Sequence, residues 1–129
     1  MPVFQVHIPD ERFSPEQKRA LAEALPQALN DALGIPADDQ FVAITSHGSD
    51  ELYLSLGYMG MRRSADAVII TVLFTAERPL GDKRVLTTAI CRNVVDVLGI
   101  SADDVFIALV PVPKENFSFG RGELQLATE

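Results

Sequence analysis

The segment PVFQVHI, residues 2–8, alternates apolar and polar positions and is rich in β-branched residues, as a strand with one buried face requires. The period then changes. Ser14-Pro15-Glu16 offers a capping hydroxyl followed by proline at the first helical position. Leu21, Leu25, Ala28, Leu29 and Leu33 recur at helical spacing up to Gly34, which readily takes the left-handed conformation of a C-cap. FVAIT, residues 41–45, resumes as strand. AVIITVLF, residues 67–74, reads as a strand buried on both faces. A helix follows over residues 81–98, with Val85, Leu86, Ala89, Ile90, Val94 and Leu98 on its core face and Gly99 at its end. VFIALVPV, residues 105–112, is the last long strand. Pro26 falls inside the first helix, where its ring opposes the Ala22 carbonyl at a cost of about 3 kcal/mol, so a kink is expected near residues 22–26. Residues 46–66, with Gly57 and Gly60 marking turns, read as a hairpin-like connection. The tail KENFSFGRGELQLATE, with apolar residues on either side of its glycines, reads as a short hairpin over residues 114–129.

This order of elements is written twice. GIPADDQFVAI (residues 34–44) and GISADDVFIAL (residues 99–109) share seven of eleven positions at an offset of 65. The same offset sets Lys18-Arg19 on Lys83-Arg84, Asp31 on Asp96, and Leu33-Gly34 on Leu98-Gly99. With one inserted residue, Glu11-Arg12 falls on Glu77-Arg78. The chain therefore reads as one domain holding two strand–helix–strand units, residues 2–45 and 67–110. Right-handed crossovers make the strands of each unit parallel, and four strands under two helices give an α/β two-layer sandwich. The second face of that sheet is mostly apolar, which implies burial in a small symmetric oligomer.

Composition narrows the picture. The 129 residues suit a single domain with a real core, and 47% apolar against 22% charged residues excludes disorder. A lone cysteine, Cys91, excludes an internal disulfide and suits a reducing compartment. The net charge of −7 with no basic face argues against a nucleic-acid partner. The longest apolar stretch, Ala67 to Ala76, is too short for a bilayer, and MPVFQVHIPDER has no signal-peptide character. A cytoplasmic protein without membrane attachment is expected.

The usual catalytic constellations are missing. Gly57 to Gly60 lacks a phosphate-loop ending, and His7 and His47 lie far apart without a cysteine partner, so no metal site is expected. No serine sits in a nucleophile elbow, and Cys91 falls on a buried helical stretch. What remains is Pro2. Removal of the initiator methionine would leave a secondary amine on a rigid ring at the head of a strand. A free α-amine titrates near 7.7–8.0, and burial or a nearby cation disfavours its protonated form. Such a group is a general base near neutral pH; the plainer reading is a proline that merely starts a strand.

Pro2, the Glu11-Arg12 turn, the two strand–helix–strand copies and GIPADDQF together resemble the tautomerase superfamily. GIPADD, RRSADAVIITV, AERPLGDKR, DDVFIALVPV and ENFSFGRGE are most similar to its malonate semialdehyde decarboxylase-like branch. The resemblance implies the duplicated fold as a homotrimer, no cofactor, and proton transfer on a small 2-oxo or 3-oxo acid. A decarboxylase or hydratase activity and a non-catalytic oligomeric module are the alternatives. Carried over, Pro2 matches the catalytic proline, Asp39 the acid that orients the proline or a water, and Arg78 one of two arginines that hold the substrate carboxylate. Thr75 or Ala76 stands where the second arginine is expected. Phe117 and Phe119 match the apolar wall, with Phe117 where tryptophan is usual. Arg12 matches the carboxylate-binding turn arginine of the 4-oxalocrotonate tautomerases. Each has a rival role: Asp39 has a twin, Asp104, beside no amine, which suggests backbone capping. Arg12 and Arg78 could cap helices or pair with acids. Arg121, between two glycines, is either a solvated tip or a cation reaching a neighbouring subunit's site.

Overall fold

The computed structural model describes residues 2–38, 41–75 and 77–127. Ser14 opens helix α1 (Pro15–Leu33) with a reciprocal cap. Its Oγ accepts the Gln17 backbone N–H at 3.1 Å, and Gln17 Oε1 accepts the Ser14 N–H at 2.9 Å. At the far end Gly34 turns left-handed at φ 70° and returns its N–H to Asn30. Helix α2 (Leu80–Leu98) stops the same way at Gly99, φ 68°. The helical assignment of α1 runs unbroken through Pro26, whose ring is buried among Leu21, Leu25, Ala28 and Leu29. Packing of that face offsets the hydrogen bond that proline cannot make. Nearby, the Asn93 side-chain amide of α2 donates to the Ala24 carbonyl at 3.1 Å.

The four strands are β1 (Val3–Pro9), β2 (Val42–His47), β3 (Val68–Phe74) and β4 (Val105–Pro111), in the sheet order β2-β1-β3-β4. β1 and β2 are parallel, as are β3 and β4, while β1 and β3 meet antiparallel at the centre. The offset of 65 read in the sequence carries β1 onto β3 and α1 onto α2 residue for residue. Both helices lie on one face. Phe4, Val6 and Ile8 of β1 and Val68, Ile70 and Val72 of β3 are buried there against Leu21, Leu25, Leu29, Leu86, Ile90 and Val94. Each such side chain contributes roughly 1.5–3 kcal/mol of burial.

Four details differ from the pattern reading. Val85 is 53% exposed, because only its neighbour Leu86 points from α2 into the sheet. β3 buries one face fully and the other, Ile69, Thr71 and Leu73, only in part. The segment 48–66 contains no paired strand. Turns and a single 3₁₀ turn at Tyr58–Gly60 make it up, closed by Arg63 N–H donating to Leu56 O at 3.0 Å. The tail is likewise no hairpin among the described residues. A 3₁₀ turn at Lys114–Asn116 leads into turns that place Gly120, Arg121 and Gly122 at positive φ. Glycine-rich turns without strand partners satisfy their backbone through side chains here: Phe119 N–H donates to Gln125 Oε1 at 3.0 Å. No described helix is long and apolar enough to cross a membrane.

Candidate active site

The antiparallel centre of the sheet gives the molecule two ends. Val3 pairs with Leu73, so Pro2 lies at the end where β3 finishes. Val68 follows Ala67, the counterpart of Pro2 in the second copy, and lies at the opposite end, beyond the His7–Ile69 pair. A seven-residue strand separates the two, roughly 20 Å.

Pro2 is buried. It has the parity of Phe4, Val6 and Ile8 and so belongs to the helix side of the sheet. At the same end β3 runs out through Phe74 into the turn that carries Glu77 and Arg78, and α2 begins at Leu80. A slot beside this turn is lined by Phe74, Glu77, Arg78, Asp82, Lys83 and Leu109. An adjoining hollow of about 360 Å³ is lined by Thr75, Glu77 and Pro111 to Pro113. Lys83 hydrogen-bonds Glu77 and, through that contact, holds the Glu77 carboxyl below the usual carboxylate range. Arg78 leans on Asp82 at a longer 3.6 Å and stays about one-third exposed, so its guanidinium keeps donors free for an anionic ligand.

An aromatic cluster lies at this end. Phe117 and Phe119 stack with centroids 6.0 Å apart, and Phe119 meets Phe41 at 6.2 Å. Phe41 in turn accepts the Phe4 N–H at 2.8 Å, which ties the wall to the strand that Pro2 begins. Phe41, the counterpart of Phe106 in the repeat, is an aromatic residue at this end that sequence reasoning passed over.

The remaining sequence candidates scatter. Arg12 follows β1 and sits at the Ala67 end, paired with Asp66 at 3.2 Å. It shares no site with Pro2 inside one chain. Arg121 is largely exposed and leans on Glu123 at 3.8 Å. Asp39 lies outside the described residues, as do Met1 and Ala76. Its twin Asp104 is 2% exposed. The carboxylate of Asp104 accepts the backbone N–H and the hydroxyl of Ser64, both at 2.7 Å, and so staples the connecting segment to the sheet. His7 and His47, distant in sequence, meet across β1 and β2 with Nδ1 and Nε2 at 2.8 Å. Among the described residues no group of three or more ligating side chains accompanies them. Burial, and then the nearby Asp103 charge, push the Cys91 thiol up, so it is a poor nucleophile at neutral pH.

Four strands in the order β2-β1-β3-β4 under two helices, built from a duplicated unit, are the fold of the tautomerase class. The chain belongs to the tautomerase superfamily of enzymes: a family model described as tautomerase enzyme matches residues 39–120, and a second of the same description matches residues 2–55. The probable tautomerase YusQ of Bacillus subtilis (strain 168) is 27% identical, and the match covers 98% of each chain. Among solved structures, a malonate semialdehyde decarboxylase inhibited by 3-bromopropiolate is 33% identical with a TM-score of 0.85, over 95% of this chain and 92% of that one. A fused 4-OT symmetric trimer is 25% identical with a TM-score of 0.77, over 94% of both.

Proposed function

We propose that the chain, once Met1 is removed, is a cofactor-independent tautomerase that moves a proton on small 2-oxo or 3-oxo acids through the Pro2 nitrogen. The register that sets Val3 against Leu73, and so brings the Pro2 ring to the end where the Arg78 turn emerges, carries this reading. Arg78 would hold the substrate carboxylate bidentately, as its fixed fork of donors favours. The neutral amine takes a proton from a substrate carbon, the electron pair passes into an enolate, and the resulting ammonium returns the proton one position along. Atoms and charge balance with no other reagent. Phe41, Phe117 and Phe119 keep water from the enolate.

A second reading is favoured by the 33% identity to a malonate semialdehyde decarboxylase. A cationic Pro2 would polarise a carbonyl and promote loss of carbon dioxide, or addition of a water oriented by Asp39. The one matched arginine, with Thr75 or Ala76 in place of the other, weighs against it. Assays on phenylenolpyruvate and malonate semialdehyde, run side by side, decide the order. Faster ketonisation of phenylenolpyruvate is expected, and fast carbon dioxide release with slow ketonisation reverses the ranking.

Arg78→Ala should raise KM or lower kcat/KM by about 10- to 100-fold, the usual loss of a charge-assisted contact. The far-ultraviolet circular dichroism should not change, because the residue lies on a turn and pairs with the partly exposed Asp82. A larger loss on Arg12→Ala would mean that the carboxylate is held by the other turn arginine.

The face of the sheet opposite the helices carries Val3, Leu73, Ile69, Phe106, Ala108 and Val110 around Gln5, His7, Thr45 and Thr71. With a trimer among the structural neighbours, this supports a homotrimer that buries these faces together. Light scattering should return three times 14.1 kDa at micromolar concentration. A monomer mass would refute the assembly.

A further inference from the structure

The end of the sheet away from Pro2 holds a cleft of about 470 Å³, larger than either hollow beside Arg78. The 65-residue repeat makes it the counterpart of the Pro2 end. In the sequence Ala67 corresponds to Pro2, Arg12 to Arg78 and Asp104 to Asp39. The reactive group has no counterpart, because the nitrogen of Ala67 is a mid-chain amide and has no basicity. The binding elements are kept. Arg12 and Arg63 both line the cleft, with Leu52, Leu54 and Leu56 forming an apolar side.

The two guanidinium groups are unequally occupied. Arg12 is half exposed and shares Asp66 at 3.2 Å. Arg63 donates through Nη1 to the Ser55 carbonyl at 2.9 Å. Its Nε is buried and has no hydrogen-bond partner. A buried donor left unpaired is costly, and charged donors most of all. An arginine with one edge anchored and one N–H still to be satisfied is built to receive an acceptor, and a carboxylate is the acceptor whose geometry fits a guanidinium best. The leucines suit an organic anion with a short apolar stem.

We propose that this cleft is a second, non-catalytic site for a small organic carboxylate, held by Arg63 and Arg12. It goes beyond the proton-transfer reading and does not depend on Pro2 being catalytic. Asp10, also at the cleft, is occupied with the Glu11 N–H at 3.0 Å and so belongs to the turn. The acidic chain would thus bind an anion at each end through an arginine turn duplicated with the fold, and turn over only the one beside the amine.

Malonate is the probe, and the Arg63 Nε–H resonance in a nitrogen-15 spectrum is the readout. The titration is run on Arg78→Gln protein, in which the Pro2 end is weakened. A saturable shift of the Arg63 Nε–H signal is expected, with one malonate bound per chain. Adding Arg63→Gln should abolish malonate binding as followed by the Arg12 Nε–H signal, and Arg12→Gln should weaken binding read at Arg63 by about tenfold, the scale of one charge-assisted contact. Arg63→Gln alone should leave kcat and KM for phenylenolpyruvate within about twofold, since it lies a strand's length from Pro2. Should Arg63→Gln disturb the fold, the Arg12→Gln titration decides alone. No saturable shift, or the same shift with sodium chloride at equal ionic strength, overturns the proposal. Malonate binding here in a protein without tautomerase activity would keep this site and reject the function proposed above.

Discussion

Pro2→Ala, in protein whose Met1 has been removed, is expected to slow ketonisation of phenylenolpyruvate by about 10²-fold or more, the scale of a positioned general base. Alanine keeps an α-amine, so the loss would measure what the ring supplies. A secondary amine locked at one φ cannot rotate away from the substrate, and it begins a strand whose next residues are fixed on both sides by β2 and β3. The companion measurement is on the unprocessed chain. With Met1 attached, the Pro2 nitrogen is a tertiary amide with no basicity, so activity should fall to background while circular dichroism stays unchanged. Intact mass confirms which form is assayed. An unchanged rate in either material would leave Pro2 as nothing more than the head of a strand.

Asp104→Ala should have the largest effect on stability of any single polar substitution outside the Pro2 end. The carboxylate is buried and accepts from both the N–H and the hydroxyl of Ser64. Truncation removes two charge-assisted hydrogen bonds, each worth about 1.5 kcal/mol, and should cost about 3 kcal/mol. At roughly 3–4 °C per kcal/mol for a domain of this size, Tm should fall by about 10 °C. Asp104→Asn keeps one acceptor oxygen and should lose less than half as much. Thermal unfolding of both variants checks the order. A silent Asp104→Ala would show that the staple to Ser64 contributes nothing, and that the aspartate common to the two copies needs another explanation. Hydrogen exchange over residues 48–66 should quicken in the alanine variant, because Asp104 and Asp103 are what tie that segment down: Arg62 N–H donates to Asp103 at 2.8 Å.

The helices and strands were legible because their signals are local. The Ser14 cap, the glycines at 34 and 99 and the alternation of residues 2–8 act within one turn or one strand, so their outcome is written nearby. The repeat added long-range information without structure, since two copies of one unit must pack alike, and it fixed the parallel pairs and the layer order. Where the local signal was absent, the reading failed. The glycines of 46–66 and of the tail suggested hairpins, yet a hairpin needs a strand partner, and in both segments side-chain hydrogen bonds took that place. Val85 was misplaced because neighbouring apolar residues on a helix point about 100° apart, and only contact with the sheet selects one of them.

Of the candidate site, the sequence by itself determined that Pro2 heads a strand, that arginines recur on equivalent turns and that aromatic residues crowd the tail. Only the tertiary structure decided which of these share an end. Antiparallel pairing of β1 with β3 turns the second unit over against the first, so the turn after β3, and not the turn after β1, comes back to Pro2. That single fact puts the Arg78 turn at the Pro2 end of the sheet and Arg12 in the far cleft with Arg63. The parallel pairs act in the same way: β1 with β2 brings His7 to His47, and β3 with β4 brings Asp104 to Ser64. Proximity across a sheet is set by register between strands distant in the chain, and no spacing along the sequence encodes it.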